Sequence, residues 1–243
     1  MIQKTPKKIF RKKIVKKKVA KPISRSKPFN KKKKKKFIKK TPNKDAYQIK
    51  AKQEGYRARS SFKLLQLNKR YHIIKKGDVV IDLGCAPGGW IQASLKLGAR
   101  KVFGIDIQPI RPFKEQNVYF LCKDIKDKNT TILVSAMLHQ KADVILSDMA
   151  PNTTGIKHLD QEKSLDLCKI ALDFTKTNLK KGGNFICKIF QGPNSDEFLK
   201  KCKEQFLEVK TTKPEASKKG SKEIFIIALG FGEKKLERLK LTS

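Results

Sequence analysis

Short apolar runs alternate with longer amphipathic segments through the middle of the chain, and this alternation limits the possible folds more than any other feature. Strands that alternate with helices form a mostly parallel sheet covered by helices on both faces. The runs predict five strands, at DVVIDLG (78–84), KVFGID (101–106), VYFLCKD (118–124), ADVILSD (142–148) and NFICKIF (184–190). The intervening spacing predicts helices over WIQASLKLG (90–98), around 129–139 and over 160–183, the last one ending at a glycine pair.

The segments on either side of this region extend the same pattern. Residues 46–70 are basic and amphipathic, and they predict a helix with a break at Gly55. Near the other end, SDEFLKKCKEQF (195–206) predicts a helix, while FLEVKTTKP (206–214) and KEIFIIALGF (222–231) predict two closing strands. The chain is therefore expected to have an α/β fold with a mostly parallel, seven-stranded sheet.

Charged residues stand at the ends of the five central strands. These residues are Asp82, Asp106, Asp124, Asp148 and Lys188. Open sheets of this class bind their ligands outside the carboxyl ends of the strands, near the point where the strand order reverses. Five such endings predict a polar ligand-binding edge of the sheet.

The segment DLGCAPGGW (82–90) places three glycines between the first strand and the following helix. Such a loop lets a ligand approach the backbone at a helix start, although the same glycines also suit a plain tight turn. The acid that ends the next strand, Asp106, is placed to accept both hydroxyls of a ribose, and Asp124 can accept from an adenine amino group. Because no pyrophosphate clamp is evident, S-adenosylmethionine fits better than a dinucleotide. Trp90 is expected to pack either on the base or on the sheet.

Taken together, the motifs resemble the FtsJ/RrmJ family of ribosomal RNA 2'-O-methyltransferases, the RlmE group. The resemblance covers roughly residues 45–231, and it is carried by EGYRARSSFKLL, DLGCAPGGW, SDMAPNTTG, CKIFQG and KPEASKKGSKEIFIIALG, which occur in that order. It implies a Rossmann-like methyltransferase fold with S-adenosylmethionine as the methyl donor.

The resemblance also implies a Lys-Asp-Lys-Glu tetrad. Matched motif by motif, the tetrad consists of Lys63, Asp148, Lys188 and Glu223. The donor contacts of the family correspond to Gly88, Trp90, Asp106, Asp124 and Asp148. The chain departs from the family pattern where lysines (Lys218 and Lys222) replace common arginines and where Phe225 replaces a usual tyrosine.

Lys188 is expected to orient the ribose hydroxyl, and two hypotheses describe its role. In the first it helps to remove the proton, which requires burial or a neighbouring cation such as Lys63 to destabilise its charged form. In the second Asp148 keeps it charged, and it acts as a steering cation. Glu223 is expected to anchor one of the two lysines.

The charge of the chain, +36 overall, is concentrated at one end. Residues 1–44 hold 21 of the 58 basic residues and none of the 22 acidic ones, which predicts a disordered lysine-rich arm. A methyltransferase domain is predicted over 45–235 and a short basic tail over 236–243. A groove for the RNA backbone is predicted from Arg57, Arg59, Lys218, Lys219 and Lys222, which lie in the same motifs as Lys63 and Glu223.

The remaining residue types exclude several classes of function. The five cysteines have no zinc-binding spacing, and His72, His139 and His158 are assigned no role, so no metal site is expected. No apolar stretch is long enough for a membrane span. The N-terminus lacks the apolar run of a signal peptide, so a cytoplasmic location is expected, with the mitochondrial matrix as the alternative. No motif for dimerisation is evident, and a monomer is expected.

The expected function is methylation of a uridine 2'-hydroxyl in large-subunit ribosomal RNA on an assembling subunit. Two alternatives stay open. The substrate could instead be another RNA, such as a tRNA anticodon loop or a cap-like end. The chain could also be a non-catalytic RNA-binding assembly factor, although an intact tetrad argues against that function.

Overall fold

A computed structural model describes residues 46–218 and 220–232 of the chain. The strands in this part of the chain are β1 (Val79–Leu83), β2 (Lys101–Asp106), β3 (Val118–Cys122), β4 (Ala142–Ser147), β5 (Leu179–Phe190), β6 (Phe206–Thr212) and β7 (Glu223–Phe231). The helices are α1 (Ala46–Gln53), α2 (Ser61–Tyr71), α3 (Gly89–Lys96), α4 (Lys128–Leu138), α5 (Lys157–Asn178) and α6 (Ser195–Gln205). The predicted arm (1–44), the predicted tail (236–243) and Lys219 lie outside the described residues.

The seven strands form one sheet in the order β3-β2-β1-β4-β5-β7-β6. Strands β1 to β5 pair in parallel, while β7 runs antiparallel to both β5 and β6. The chain moves outward from β1 to β3 and then returns to place β4 on the other side of β1. The reversal in strand order therefore lies between β1 and β4, and the predicted Rossmann-like methyltransferase fold is confirmed.

The two faces of the sheet are covered by different helices. Helices α4, α5 and α6 cover one face, and their core residues include Val134, Leu165 and Phe198. Helices α2 and α3 cover the opposite face, where Leu64 and Trp90 pack on the strands. We call this second face the α2/α3 face. Because side chains alternate along a strand, every second residue of each strand points toward it.

A third, smaller cluster fixes the first helix to the rest of the domain. Ala51, Phe62 and Ala216 are buried together, so that α1, α2 and the connection between β6 and β7 meet. Gln66 of α2 strengthens this junction by accepting a hydrogen bond from the Ala216 N–H at 3.0 Å. The start of α2 and the residues just before β7 are thereby held side by side.

The long helix before β5 ends earlier than predicted. It ends at Asn178, and Leu179 is already extended and paired with Ala142. Leu179 is fully buried, so its packing favours the strand over another helical turn. The glycine pair lies inside β5 instead of capping the helix. A Cβ atom on Gly183 would lie 2.8 Å from the Asp143 carbonyl oxygen, so the absence of a side chain permits the close approach of β4.

Within the described ranges, no helix is long and apolar enough to cross a membrane.

Candidate active site

The four predicted tetrad residues come together on the α2/α3 face, at the edge where β4 and β5 end and β7 begins. Lys63 lies in the first turn of α2, Asp148 follows β4 directly, Lys188 is near the end of β5 and Glu223 opens β7. The three residues on or next to strands each stand two positions from a residue that packs on this face, namely Leu146, Ile186 and Phe225. Alternation along the strands therefore directs all three toward α2.

The tetrad consists of two ion pairs. The Nζ of Lys63 lies 2.6 Å from Oε1 of Glu223, and the Nζ of Lys188 lies 2.9 Å from Oδ1 of Asp148. Lys188 also donates a hydrogen bond to the Asp148 backbone carbonyl at 2.6 Å. One lysine is thus bound twice by a single residue, while the other is bound by a glutamate from a different strand.

Both pairs are largely shielded from water, since Lys63 and Lys188 are each 6 % exposed and Glu223 is 8 % exposed. Burial by itself raises the pKa of the Glu223 carboxyl. The charge and hydrogen bond of Lys63, the Ser217 hydroxyl and the charge of Lys188 outweigh burial and hold this pKa below its ordinary value. Glu223 is therefore ionised at neutral pH.

The ring of Phe225 lies next to the two tetrad lysines. The ring is fully buried, lies opposite Lys188 in the β5–β7 register and has its centroid 5.9 Å from that of Trp90. The Nζ of Lys63 is 5.5 Å from the same ring, a separation at which a cation is attracted to an aromatic face. Phenylalanine thus provides a packing surface at the position where the family usually has tyrosine.

The glycine loop after β1 lies next to the end of β4. Gly84 and Gly88 have φ values of +75° and +106°, which a residue with a side chain adopts only under strain. A Cβ atom on Gly84 would lie 2.6 Å from Met149, and one on Gly88 would lie 2.8 Å from Phe113. The two glycines therefore let the loop after β1 approach both the segment after β4 and the segment after β2.

The acids predicted to contact a donor lie at successive strand ends, but they differ in their surroundings. The Asp106 carboxylate accepts hydrogen bonds from the backbone N–H groups of Ala86 and Gln108, each at 2.8 Å. Asp124 lies just beyond β3, is exposed and accepts from the Lys126 N–H at 2.9 Å. Asp106 thus holds the glycine loop in place, whereas the side chain of Asp124 faces solvent.

Trp90 packs on the sheet, which is one of the two arrangements that the sequence allows for it. It is 2 % exposed, and its indole Nε1–H donates to the Ser60 carbonyl at 2.8 Å. The indole thereby fastens the segment before α2 to the start of α3.

Asp82 is predicted from the sequence only as one of the charged strand ends, without a role of its own in the site. It is fully buried, and neither carboxylate oxygen has a hydrogen-bond partner among the described residues. Burial, with the charges of Asp148 and Asp106, raises its pKa well above the ordinary value. In the sequence, the signal that Asp82 belongs to the site is its position at the start of the glycine loop. The carboxyl groups of Asp82, Asp106 and Asp148 lie near one another here, and no lysine or arginine among the described residues pairs with Asp82, which favours a cationic ligand.

The residues predicted to bind RNA lie in two kinds of surroundings. Lys218 and Lys222 are exposed on the β6–β7 connection, beside Glu223. Arg59 is half-buried ahead of α2, and Lys219 is outside the described residues. Arg57 differs from these residues, because its guanidinium donates hydrogen bonds to three backbone carbonyls of the loops described above.

Neither the cysteines nor the histidines build a second centre. Cys85, Cys168, Cys187 and Cys202 are buried and Cys122 is exposed, all as free thiols. His72 and His139 cap the ends of α2 and α4 in the left-handed conformation. Across the described ranges, no three histidine, cysteine, aspartate or glutamate side chains are grouped to hold a metal ion.

Comparison with known proteins adds to this geometry. The model of the FtsJ-like methyltransferase family matches residues 56–231. Two archaeal proteins named ribosomal RNA large subunit methyltransferase E are similar in sequence. The one from Methanococcus aeolicus is 41 % identical over 196 residues, which are 80 % of this chain and 73 % of that protein. The one from Methanothermobacter thermautotrophicus is 42 % identical over 198 residues, 80 % of this chain and 94 % of that protein.

A solved structure shows the same arrangement of elements. The crystal structure of a ribosomal RNA methyltransferase from Plasmodium falciparum superposes with a TM-score of 0.64 and 29 % sequence identity. The match covers 72 % of this chain and 98 % of the Plasmodium chain.

Proposed function

Because the chain belongs to the FtsJ-like methyltransferase family, we propose that it transfers a methyl group from S-adenosylmethionine to the 2'-hydroxyl of a uridine in large-subunit ribosomal RNA. The substrate is proposed to be the assembling ribosomal subunit. One observation carries the proposal: a buried pair of lysine–carboxylate contacts stands directly beside a glycine loop edged by acids.

The loop side fits the donor in shape and charge. When bound, S-adenosylmethionine supplies a methyl group on a positively charged sulfonium, which is already a strong electrophile. Gly88 and the backbone of Trp90 would lie along it, while Asp106 and Asp124 would accept from its ribose and base. The unpaired carboxyl of Asp82 and the nearby Asp148 favour the positive charges that the donor carries.

The tetrad side supports the view that Lys188 acts as a steering cation. The first hypothesis needs burial or a neighbouring positive charge. Lys188 is buried, but Asp148 pairs with it at 2.9 Å, and Glu223 compensates the charge of Lys63 at 2.6 Å. Lys188 donates a hydrogen bond to the Asp148 carbonyl and forms an ion pair with the Asp148 carboxylate, so at least one of the three ammonium N–H groups remains to hold the ribose oxygen. Holding the acceptor in line with the methyl group supplies much of the rate acceleration that such a transfer requires.

Two observations support large-subunit ribosomal RNA as the substrate: the names of similar proteins and the positive charge beside the tetrad. The similar archaeal proteins are named for large-subunit ribosomal RNA, and Lys218 and Lys222 are exposed beside the tetrad. Lysines there would contact phosphates, which fix register without reading sequence. The lysine-rich residues 1–44 are proposed to add RNA affinity that weakens steeply with salt. Removing them should weaken RNA binding and flatten its salt dependence more than it slows transfer at saturating RNA.

Two successive measurements test the proposal. Calorimetry with S-adenosylmethionine alone first asks whether the donor binds. Transfer of labelled methyl to purified large ribosomal subunits, small subunits and tRNA is then compared, and the product is mapped. Label at one large-subunit uridine 2'-oxygen is the expected result. If only tRNA is labelled, the substrate is a different RNA. If the protein binds RNA but neither binds the donor nor transfers a methyl group, it is an assembly factor.

A further inference from the structure

The guanidinium of Arg57 is committed to two loops of the domain. Its Nη1 donates to the carbonyls of Arg111 at 2.6 Å and Pro87 at 3.3 Å, and its Nη2 donates to the carbonyl of Pro112 at 2.8 Å. Its central carbon lies 3.6 Å from the centroid of the Phe113 ring. One cation therefore joins the glycine loop after β1 to the segment that follows β2.

The same residues meet at Gly88, which has no side chain to separate them. A Cβ atom there would lie 2.8 Å from Phe113 and 3.1 Å from Nη1 of Arg57. The planar fork of an arginine can reach carbonyls on two loops and stack on a ring at once, which the point charge of a lysine cannot do. Arg57 therefore contributes, together with the Asp106 carboxylate, to the position and spacing of the two donor-side loops.

The backbone around Arg57 is fastened to the start of α3 as well. The Arg57 N–H donates to Oε1 of Gln92 at 2.6 Å, and Nε2 of Gln92 donates to the Gly55 carbonyl at 3.0 Å. Further along, the Ser61 hydroxyl donates to the Gly89 carbonyl at 2.9 Å. Lys63 follows two residues later, so the segment that carries a tetrad lysine is bonded along its length to the glycine loop.

We propose that Arg57 is a positioning residue for the donor site and does not serve as the RNA contact that its motif predicts. It holds the glycine loop and the segment after β2 at the separation that the donor requires. Three of its five N–H donors are already bound to carbonyls of these two loops, which leaves only two for any other acceptor. The proposal rests on S-adenosylmethionine being the donor.

The test compares Arg57→Lys with Arg59→Lys, a matched change two residues away in the same motif. Arg57→Lys is expected to raise the donor Kd, measured by calorimetry without RNA, about ten-fold, since charge-assisted hydrogen bonds are lost. The KM for the donor should rise alongside, while kcat at saturating donor and the Kd for RNA change less than about two-fold. Arg59→Lys should leave the donor Kd unchanged.

An unchanged donor Kd with a raised RNA Kd in Arg57→Lys would overturn the proposal, and so would an equal rise in both constants. Phe113→Leu provides a second test if Arg57→Lys does not fold, because it removes the ring beneath the guanidinium and keeps an apolar side chain. It should raise the donor Kd by about two- to three-fold without affecting RNA. If the unaltered protein binds no donor, the proposed function fails instead.

A second observation concerns an open cleft of about 510 Å³ beyond the end of β5. The first turns of α5 supply His158 and Gln161 to one wall, and the loop after β5 supplies Gln191 and Pro193 to the other. The side-chain amide of Gln161 donates to the Gln191 carbonyl at 2.5 Å and holds the two walls together. A Cβ atom on Gly192 would lie 2.9 Å from the amide carbon of Gln161. The absence of a side chain at Gly192 therefore lets the loop approach α5 without displacing Gln161.

The cleft lies at the tetrad edge of the sheet. Gln191 follows Lys188 by three residues, a distance of about 10 Å in extended chain. Its backbone N–H also donates to the carbonyl of Lys222, the residue before Glu223, at 3.1 Å. Side-chain amides, an imidazole and a proline ring are groups that hydrogen-bond to and stack on unpaired RNA bases.

We infer that this cleft receives a nucleobase next to the methylated nucleotide, an inference that rests on the proposed RNA substrate. His158→Ala and Gln161→Ala are expected to raise the KM for large-subunit RNA about five- to twenty-fold. The donor Kd should stay unchanged. The slope of log Kd against log salt should also stay the same, because bases and not phosphates are contacted.

Lys218→Ala is the control, and its slope should become shallower by about 0.7 if one phosphate contact is lost. A shallower slope in His158→Ala or Gln161→Ala would show a phosphate site and overturn the inference, as would an unchanged KM for RNA in both variants. If the unaltered protein labels no RNA, the proposed function fails, whatever these variants do.

Discussion

Asp82 and Glu223 are both buried carboxyl groups on the α2/α3 face, yet their pKa values shift in opposite directions. Burial raises the pKa of Asp82, and the charges of Asp148 and Asp106 raise it further. Burial also raises the pKa of Glu223, but Lys63 at 2.6 Å more than offsets that effect. Within the part of the chain that the structure describes, the loop side of the site thus has a buried carboxyl group without a paired cation, whereas the carboxyl groups of the tetrad side are paired with lysines.

The opposite pKa shifts of Asp82 and Glu223 indicate a different role for each side of the site. An unpaired buried carboxyl is costly in the free protein, and a cationic ligand would relieve that cost. A matched pair needs no ligand and can hold a neighbouring group in a fixed position. Asp148 belongs to both sides, because it affects the pKa of Asp82 and pairs with Lys188 at 2.9 Å.

The largest expected effect comes from the tetrad side. Lys188→Ala should lower kcat for methyl transfer by about 10²- to 10⁴-fold, because it removes the group that holds the acceptor oxygen. The donor Kd should change little, since the loop side stays intact. Single-turnover transfer and calorimetry on the same preparation measure both quantities. Near-normal turnover would remove Lys188 from the mechanism.

Lys188→Arg separates the two hypotheses for this residue. Arginine keeps the positive charge but does not accept a proton at any working pH. If Lys188 is a steering cation, Arg should retain clearly more activity than Ala, although its different shape reduces the rate. Equal loss in both variants would favour the proton acceptor.

The next effect tests the matched pair itself. Lys63→Ala leaves the buried Glu223 charge uncompensated and should lower the free energy of unfolding by about 3 to 5 kcal/mol. In a double variant, Lys63→Met with Glu223→Gln, no charge is left unpaired, so most of that stability should return. Urea denaturation at pH 7 measures both. Equal losses in the single and double variants would show that the ion pair is not the cause.

Opposite pKa shifts also predict opposite pH dependences of stability. The depressed pKa of Glu223 means that its contribution is present above about pH 4.5 and is lost as pH falls through its folded-state pKa. The raised pKa of Asp82 means that its contribution is fully present below about pH 4, the unfolded value, and is lost as pH rises toward the folded value.

Asp82→Asn tests the second half of this statement without adding or removing bulk. The variant should be close to the unaltered protein in stability at about pH 4 and more stable by a few degrees in Tm at pH 8, since the amide cannot ionise. Donor affinity should fall, because the carboxyl that favours a cation is gone. Thermal unfolding without donor at several pH values provides the measurement, and a Tm difference that does not vary with pH would contradict it.

The smallest expected effect concerns Trp90, which is buried beneath the site. Trp90→Phe removes the hydrogen bond from Nε1 to the Ser60 carbonyl and should cost about 1 kcal/mol of stability. The donor Kd should be nearly unchanged, because the indole packs on Phe225 and away from the loop. A large rise in the donor Kd would mean that the indole itself contacts the donor.

Local pattern was enough for much of the fold. The strand over 101–106 and the helix near 129–139 follow from apolar spacing, and the structure has them at Lys101–Asp106 and Lys128–Leu138. The end of α5 was not predictable in this way, because glycines after a helical pattern usually mark a cap. Burial of Leu179 against β4 decided it, and burial depends on partners that are distant in the sequence.

The sequence by itself determined the class of fold and the family, and it singled out four residues that the structure brings together, because these follow from periodicity and from motifs that are local in the chain. The tertiary structure alone decided how those residues pair, that Trp90 packs in the core, that Asp82 is unpaired and that Arg57 holds two loops. Each of these depends on groups separated by many residues, from 24 between Asp82 and Asp106 to 160 between Lys63 and Glu223. Charges and hydrogen bonds act over a few ångströms, and only the folded chain brings their partners within that range.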